Sequence, residues 1–184
     1  MKVVAVIGSP HEDGPSSVLA REVLRGAQDA GHEVVVYELR NMNFRGCQAC
    51  GTCKANNVDC VYPDDLKPYW KDLHEAGALI VSAPNYCSQV SGDMITYMNR
   101  HYCLIGMKDG KGFVRLHPGV KLIGVFSQGN PDREGFMDNY KWYLNDFCNR
   151  DMKLQKVIVH TSADGACVPG EGLMKEAYEA GAAL

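Results

Sequence analysis

Five short apolar runs punctuate the chain, at Val3 to Ile7, Val34 to Leu39, Ala78 to Ala83, Leu122 to Phe126 and Val157 to Val159. The first, third and fourth are nearly continuous rather than alternating, the pattern of strands covered on both faces. Between the runs, apolar positions recur at helical spacing. Ser16 to Ala30 places Leu19, Val23 and Ala27 on one stripe, and Phe136, Tyr140, Tyr143, Leu144 and Phe147 share another. Asp64 to Ala76, Ser91 to Tyr102 and Glu171 to Ala180 read as further helices. Strand and helix therefore alternate five times, which predicts an α/β fold: a doubly wound five-stranded parallel sheet with helices on both faces. With no repeat, low-complexity tract or linker, one domain over residues 1–184 is expected.

Composition narrows the function. A chain of 184 residues buries a full core without staples. Met1 to Gly8 carries one basic residue and an apolar run too short for a secretory signal, and no apolar stretch reaches the roughly 18 residues of a membrane span. A soluble, cytoplasmic protein with no membrane partner is expected. A net charge of −3 and a pI near 6.0 lack the Lys and Arg excess of a nucleic-acid binder, so no nucleic-acid partner is expected either. In a reducing compartment the eight cysteines favour metal or redox chemistry over structural disulfides.

With strand order 2-1-3-4-5, a ligand crevice opens at the carboxyl ends of strands one and three. The loop after the first run is Gly8-Ser9-Pro10-His11-Glu12-Asp13-Gly14-Pro15-Ser16-Ser17. Pro15 stands where a Walker A loop needs its lysine, and no G-x-G-x-x-G fingerprint occurs. The cysteine and arginine that a low-molecular-weight tyrosine phosphatase needs in this loop are missing too. What remains is a set of hydroxyls, Ser9, Ser16 and Ser17, at a helix N-terminus whose amides and dipole favour an anion. A simple helix cap would use the same residue types, but the position at the switch point favours a phosphate. After the third run, Pro84 fixes a turn, while Asn85 and the amides around Tyr86 offer hydrogen bonds to a planar ligand.

Together these loops resemble those of the flavodoxin-like NADPH-dependent FMN reductase and iron-sulfur flavoprotein family. The family's phosphate loop resembles G-S-P-R-x-x-G-N-T-x-x-L, matched by Gly8-Ser9-Pro10, Gly14, Ser16 and Leu19. Its ring-side loop is similar to S-P-x-Y, matched by Ala83-Pro84-Asn85-Tyr86 with Ser91-Gly92-Asp93-Met94 following. The resemblance implies that Ser9, Pro10, Ser16, Ser17 and Val18 hold an FMN phosphate. It also implies that Pro84, Asn85, Tyr86 and Cys87 border the isoalloxazine, with Ser127, Gln128 and Gly129 on its other side. Two departures stand out. Glu12 and Asp13 oppose a nearby phosphate unless they turn to solvent, and Pro15 replaces the usual Asn.

Cys47, Cys50, Cys53 and Cys60 are spaced C-x2-C-x2-C-x6-C within the loop 46–63. Zinc sites usually draw on two separated pairs, whereas successive two-residue steps resemble the wrapping of an iron-sulfur cluster. The resemblance implies a 4Fe-4S cluster, with zinc or an empty thiol loop as the alternatives. Asp64 and Asp65 read as the cap and first-turn acids of the next helix, and Cys87, Cys103, Cys148 and Cys167 as inert thiols. His11, His101 and His117 read as surface or packing residues, and the face around Trp142 and Tyr143 as either core or interface. The function that follows is an FMN-dependent oxidoreductase drawing electrons from NAD(P)H or a ferredoxin-like donor, as a homodimer or homotetramer. The rivals are a flavodoxin-type electron carrier, and a metal-binding or redox-sensing cysteine module without flavin.

Overall fold

In the computed structural model, which describes residues 1–108, 111–165 and 168–184, each apolar run becomes a strand and each stripe a helix. The order is β1 (Lys2–Ile7), α1 (Pro15–Asp29), β2 (Glu33–Glu38), α2 (Thr52–Asn56), α3 (Tyr69–Glu75), β3 (Ala76–Tyr86), β4 (Gln89–Val90) and α4 (Gly92–Arg100). There follow β5 (Ile105–Lys108), β6 (Lys111–Val114), β7 (Lys121–Ser127), α5 (Met137–Cys148), β8 (Lys153–His160) and α6 (Glu171–Ala182). The five long strands pair in parallel in the order β2-β1-β3-β7-β8, the expected 2-1-3-4-5 winding.

Successive residues of a strand face opposite sides of a sheet, and the two cores divide accordingly. Val3, Ala5, Ala78, Ile80, Ile123 and Val125 pack under α1 and α6 through Leu19, Val23, Ala27, Leu173 and Ala177. Val4, Val6, Leu79, Val81 and Phe126 pack under α3, α4 and α5 through Leu73, Met94, Tyr97, Tyr140, Leu144 and Phe147. The α1–α6 contact is close enough to need glycine, since a Cβ on Gly181 would overlap the Val23 carbonyl.

Three features depart from the pattern. The helix expected from Asp64 begins only at Tyr69, because Pro68 has no N–H to bond back into a preceding turn and serves as its N-cap. The β5–β6 hairpin and the two-residue β4 were not expected; both are antiparallel additions too short to show a period. Asp64 and Asp65, expected at the start of a helix, stand before it: Asp64 accepts from the Leu66 amide at 3.2 Å and pairs with Arg100, and the Asn43 amide donates to Asp65 Oδ2 at 2.6 Å. Among the described residues no helix is long and apolar enough to cross a membrane.

Candidate functional site

The carboxyl ends of β1, β3, β7 and β8 surround a cavity of about 220 Å³. Ser9, Ser16, Pro84, Asn85, Tyr86, Ser127, Gln128 and Gly129 line it, so three loops far apart in sequence meet as expected. At its base α1 starts with Pro15, and Gly14 at the N-cap offers no side chain to the first turn. The amides of Ser16 and Ser17 therefore have no intrahelical acceptor, while that of Val18 is committed to the Gly14 carbonyl at 3.0 Å. Ser16 is fully buried, and its hydroxyl has no partner among the described residues.

The remaining serines shape the loop. Ser17 donates to the His11 carbonyl at 2.8 Å, and Ser9 accepts from the His11 amide at 3.1 Å, which curls the chain around the helix end. Ser91 caps α4 and donates to the Gly8 carbonyl at 2.6 Å; a side chain on Gly8 would collide with Met94. The two acidic residues of the loop turn away: Glu12, 71% exposed, reaches Arg40 at 3.1 Å, and Asp13 is exposed. Pro10, Ser17, Val18 and Cys87 do not line the cavity. Pro10 is exposed, while Ser17 and Val18 support the helix end from behind.

On the other side, Tyr86 is half exposed at the end of β3, its ring free to cover a planar ligand. Gln128 contributes less than its residue type promised. Its Oε1 accepts from Tyr140 at 2.8 Å and its Nε2 donates to the carbonyls of Asn130 and Asp132, so the side-chain amide holds the loop rather than the ligand. Sequence reasoning missed His160 and Ser162, which also line the cavity. The available signal was position, at the carboxyl end of the fifth apolar run. His160 is buried, its Nε2 lacks a partner among the described residues, and burial holds its imidazole below the ordinary value. Cys87, expected to be a buried inert thiol, is exposed at the β3–β4 turn, where it and Ser88 both take positive φ.

Cys47, Cys50, Cys53 and Cys60 line another cavity, together with Tyr62, Arg100, Tyr102 and Cys103. Left-handed conformations at Ala49, Gly51 and Asn57 reverse the chain between them, which lets thiols in such short steps face one space. The Ala49 amide donates to Cys47 Sγ at 3.4 Å, and the Thr52 amide and hydroxyl lower the Cys50 thiol. Gly46 lies against Thr96 within α4, two residues beyond the Met94 that packs on Gly8, and Arg100 ends that helix beside the cysteine cavity. Among the described residues no three His, Cys, Asp or Glu side chains converge as ligands of a single ion. The cavity the four cysteines line measures about 20 Å³, and its donor set is all sulfur, with an N–H donated to Cys47 Sγ and a buried guanidinium alongside.

Of the other thiols, Cys103 is buried and pushed up to about 12 by that burial, Cys148 packs half-buried against the core, and Cys167 lies outside the described residues. Of the histidines read as surface or packing residues, His11 is exposed and His101 and His117 are buried, whereas Trp142 is 72% exposed and is not core. In a larger groove of about 690 Å³ between α1 and β2, Arg21 pairs with Glu38 and Asp65 accepts from the Asn43 amide.

The family model described as NADPH-dependent FMN reductase matches residues 1–117. The chain belongs to that family. The residues of the carboxyl-edge cavity, an unpartnered buried hydroxyl at a helix N-terminus and the half-exposed Tyr86 ring, have the chemistry that FMN, named in the family's description, calls for. Curated relatives of this NADPH-dependent FMN reductase family member include two proteins named iron-sulfur flavoprotein. One, from Archaeoglobus fulgidus, is 31% identical over 54% of this chain and 45% of its own; the other, from Methanocaldococcus jannaschii, is 31% identical over 54% and 51%. The chain thus spans about half the length of the curated relatives it matches. Among solved structures, NAD(P)H:quinone oxidoreductase from Methanothermobacter marburgensis superposes with a TM-score of 0.69 at 18% identity, covering 99% of this chain and 96% of that one. A flavodoxin from Streptococcus pneumoniae gives 0.59 at 15%, covering 97% and 94%. At such identities the likeness is one of fold.

Proposed function

We propose that the chain is one FMN-binding domain, residues 1–184 with a cysteine-rich loop at 46–63, acting as a cytoplasmic FMN-dependent oxidoreductase. It takes electrons from NAD(P)H or a ferredoxin-like donor and exchanges them with a 4Fe-4S cluster on Cys47, Cys50, Cys53 and Cys60. The observation that carries this reading is the buried, unpartnered Ser16 hydroxyl at an open helix N-terminus, in one cavity with Tyr86. Bound FMN would supply the hydride and one-electron chemistry. The protein's share is placement. Ser9, Ser16 and the amides of Ser16 and Ser17 hold the phosphate, Pro84, Asn85 and Tyr86 cover one side of the ring, and Ser127 and Gly129 border the other. No side-chain acid or base is needed at the ring.

A partner subunit's flavin is a further acceptor for the cluster, and exposed Trp142 supports a homodimer or homotetramer. The deciding experiment is a visible spectrum of anaerobically purified protein, with iron and acid-labile sulfide assayed on the same sample. Flavin bands with iron and sulfide are expected. Flavin without iron removes the cluster, and a colourless protein containing zinc overturns the whole reading. Failure to oxidise NAD(P)H with any acceptor would leave a flavodoxin-type carrier.

A further inference from the structure

Arg100 is out of place for an ordinary surface cation. It closes α4 with 1% of its surface exposed, and it lines the cysteine cavity. Its Nη1 is fully used, donating to Asp64 Oδ2 at 2.5 Å and to the Arg45 carbonyl at 2.9 Å. The N–H groups on Nε and Nη2 find no acceptor among the described residues. Leaving them so costs free energy, because a buried donor without a partner has given up water for nothing. An occupant of the cavity that accepts hydrogen bonds and carries negative charge would resolve both problems.

The surroundings have the same sign. Tyr62 and Tyr102 frame the cavity; Arg45 and Arg100 lie 5.3 and 5.6 Å from the Tyr62 ring, and Lys54 lies 3.8 Å from that of Tyr102. Of the nearby carboxylates, Asp64 is buried and bound to Arg100, while Asp59 is taken by Arg115 at 2.5 Å and by His74 at 3.1 Å.

Resting on the reading that the four cysteines hold an iron-sulfur cluster, we propose that Arg100 is its positioning charge. Asp64 and the Arg45 carbonyl fix the guanidinium so that Nε and Nη2 face the cluster and stabilise its reduced form. Reduction adds one electron and no proton, so the added negative charge is met by a fixed cation instead of by protonation. Arg100 makes no bond to iron; it acts through the potential and through hydrogen bonds to sulfur.

The test is a dithionite titration of the loaded protein, following the cluster by electron paramagnetic resonance, in wild type, Arg100→Met, Arg100→Lys and Asp64→Asn. Arg100→Met should shift the one-electron equilibrium at least tenfold toward the oxidised cluster, about 59 mV downward. Arg100→Lys should recover most of that shift, and Asp64→Asn, which frees the guanidinium charge, should move the equilibrium the other way. If Arg100→Met does not load iron, the other two variants decide. Arg100→Lys near the wild-type potential with Asp64→Asn at least threefold toward the reduced form supports the proposal; Asp64→Asn unmoved or lowered overturns it. A loaded wild type whose potential ignores Arg100→Met overturns this inference alone, whereas a wild type without iron and sulfide removes the cluster reading beneath it.

Discussion

Removing one hydroxyl tests the phosphate site with two readouts of opposite sign. In Ser16→Ala the apoprotein loses a buried hydroxyl that has no partner among the described residues. An unsatisfied buried polar group costs about 1–3 kcal/mol, from which the methyl's poorer fit to a polar lining subtracts. Apoprotein stability should therefore rise by about 1 kcal/mol, or about 2–4 °C in Tm for a chain of this size. FMN affinity should fall. A hydrogen bond to a charged group is worth about 1.5–3 kcal/mol, so the dissociation constant should rise between about tenfold and a hundredfold. Riboflavin, which has the ring without the phosphate, should bind both proteins alike. The assay is quenching of flavin fluorescence by apoprotein, with thermal denaturation of the same samples. Equal weakening of FMN and riboflavin, or unchanged FMN affinity, refutes the assignment of Ser16 to the phosphate.

Cys53→Ser should abolish iron and sulfide while leaving FMN bound, read by metal analysis and flavin absorbance, because the two cavities have separate linings. Gly181→Ala should cost about 1–3 kcal/mol or more by urea denaturation, since the new methyl meets the Val23 carbonyl, whereas Gly172→Ala in the same helix meets nothing and should be neutral or better. His117 is held down to about 4 by burial first and by His74 and Arg150 after it. Its fold prefers the neutral ring, so its contribution is constant above about pH 6.5 and stability is lost as pH falls from there toward 4. His117→Gln should show a smaller drop in urea midpoint between pH 7 and 4.5 than wild type.

The fold was legible because period and burial are local. Val3 to Ile7 is apolar throughout since both its faces are covered, and the stripe of Leu19, Val23 and Ala27 meets that strand's odd-numbered side chains. The same reading brought three loops to one cavity, because a parallel sheet sends every β-to-α loop to one edge. It could not see what a side chain is already doing. Gln128 has the residue type of a ligand amide, yet Tyr140 and two carbonyls occupy it. Nor does anything in C-x2-C-x2-C-x6-C say against which element the loop folds, here α4.

By itself, then, the sequence determined the α/β winding, the serine loop at the mouth of the first helix and a compact set of thiols. Tertiary structure decided the partners. His160 reaches the carboxyl-edge cavity from the end of the fifth apolar run, where position was the one signal, and Arg100 and Cys103 reach the other thiols from segments whose local pattern carries none. The reason is physical: periodicity records which face of an element is dry, while hydrogen bonds and charge complementarity depend on distances between residues that only packing brings together.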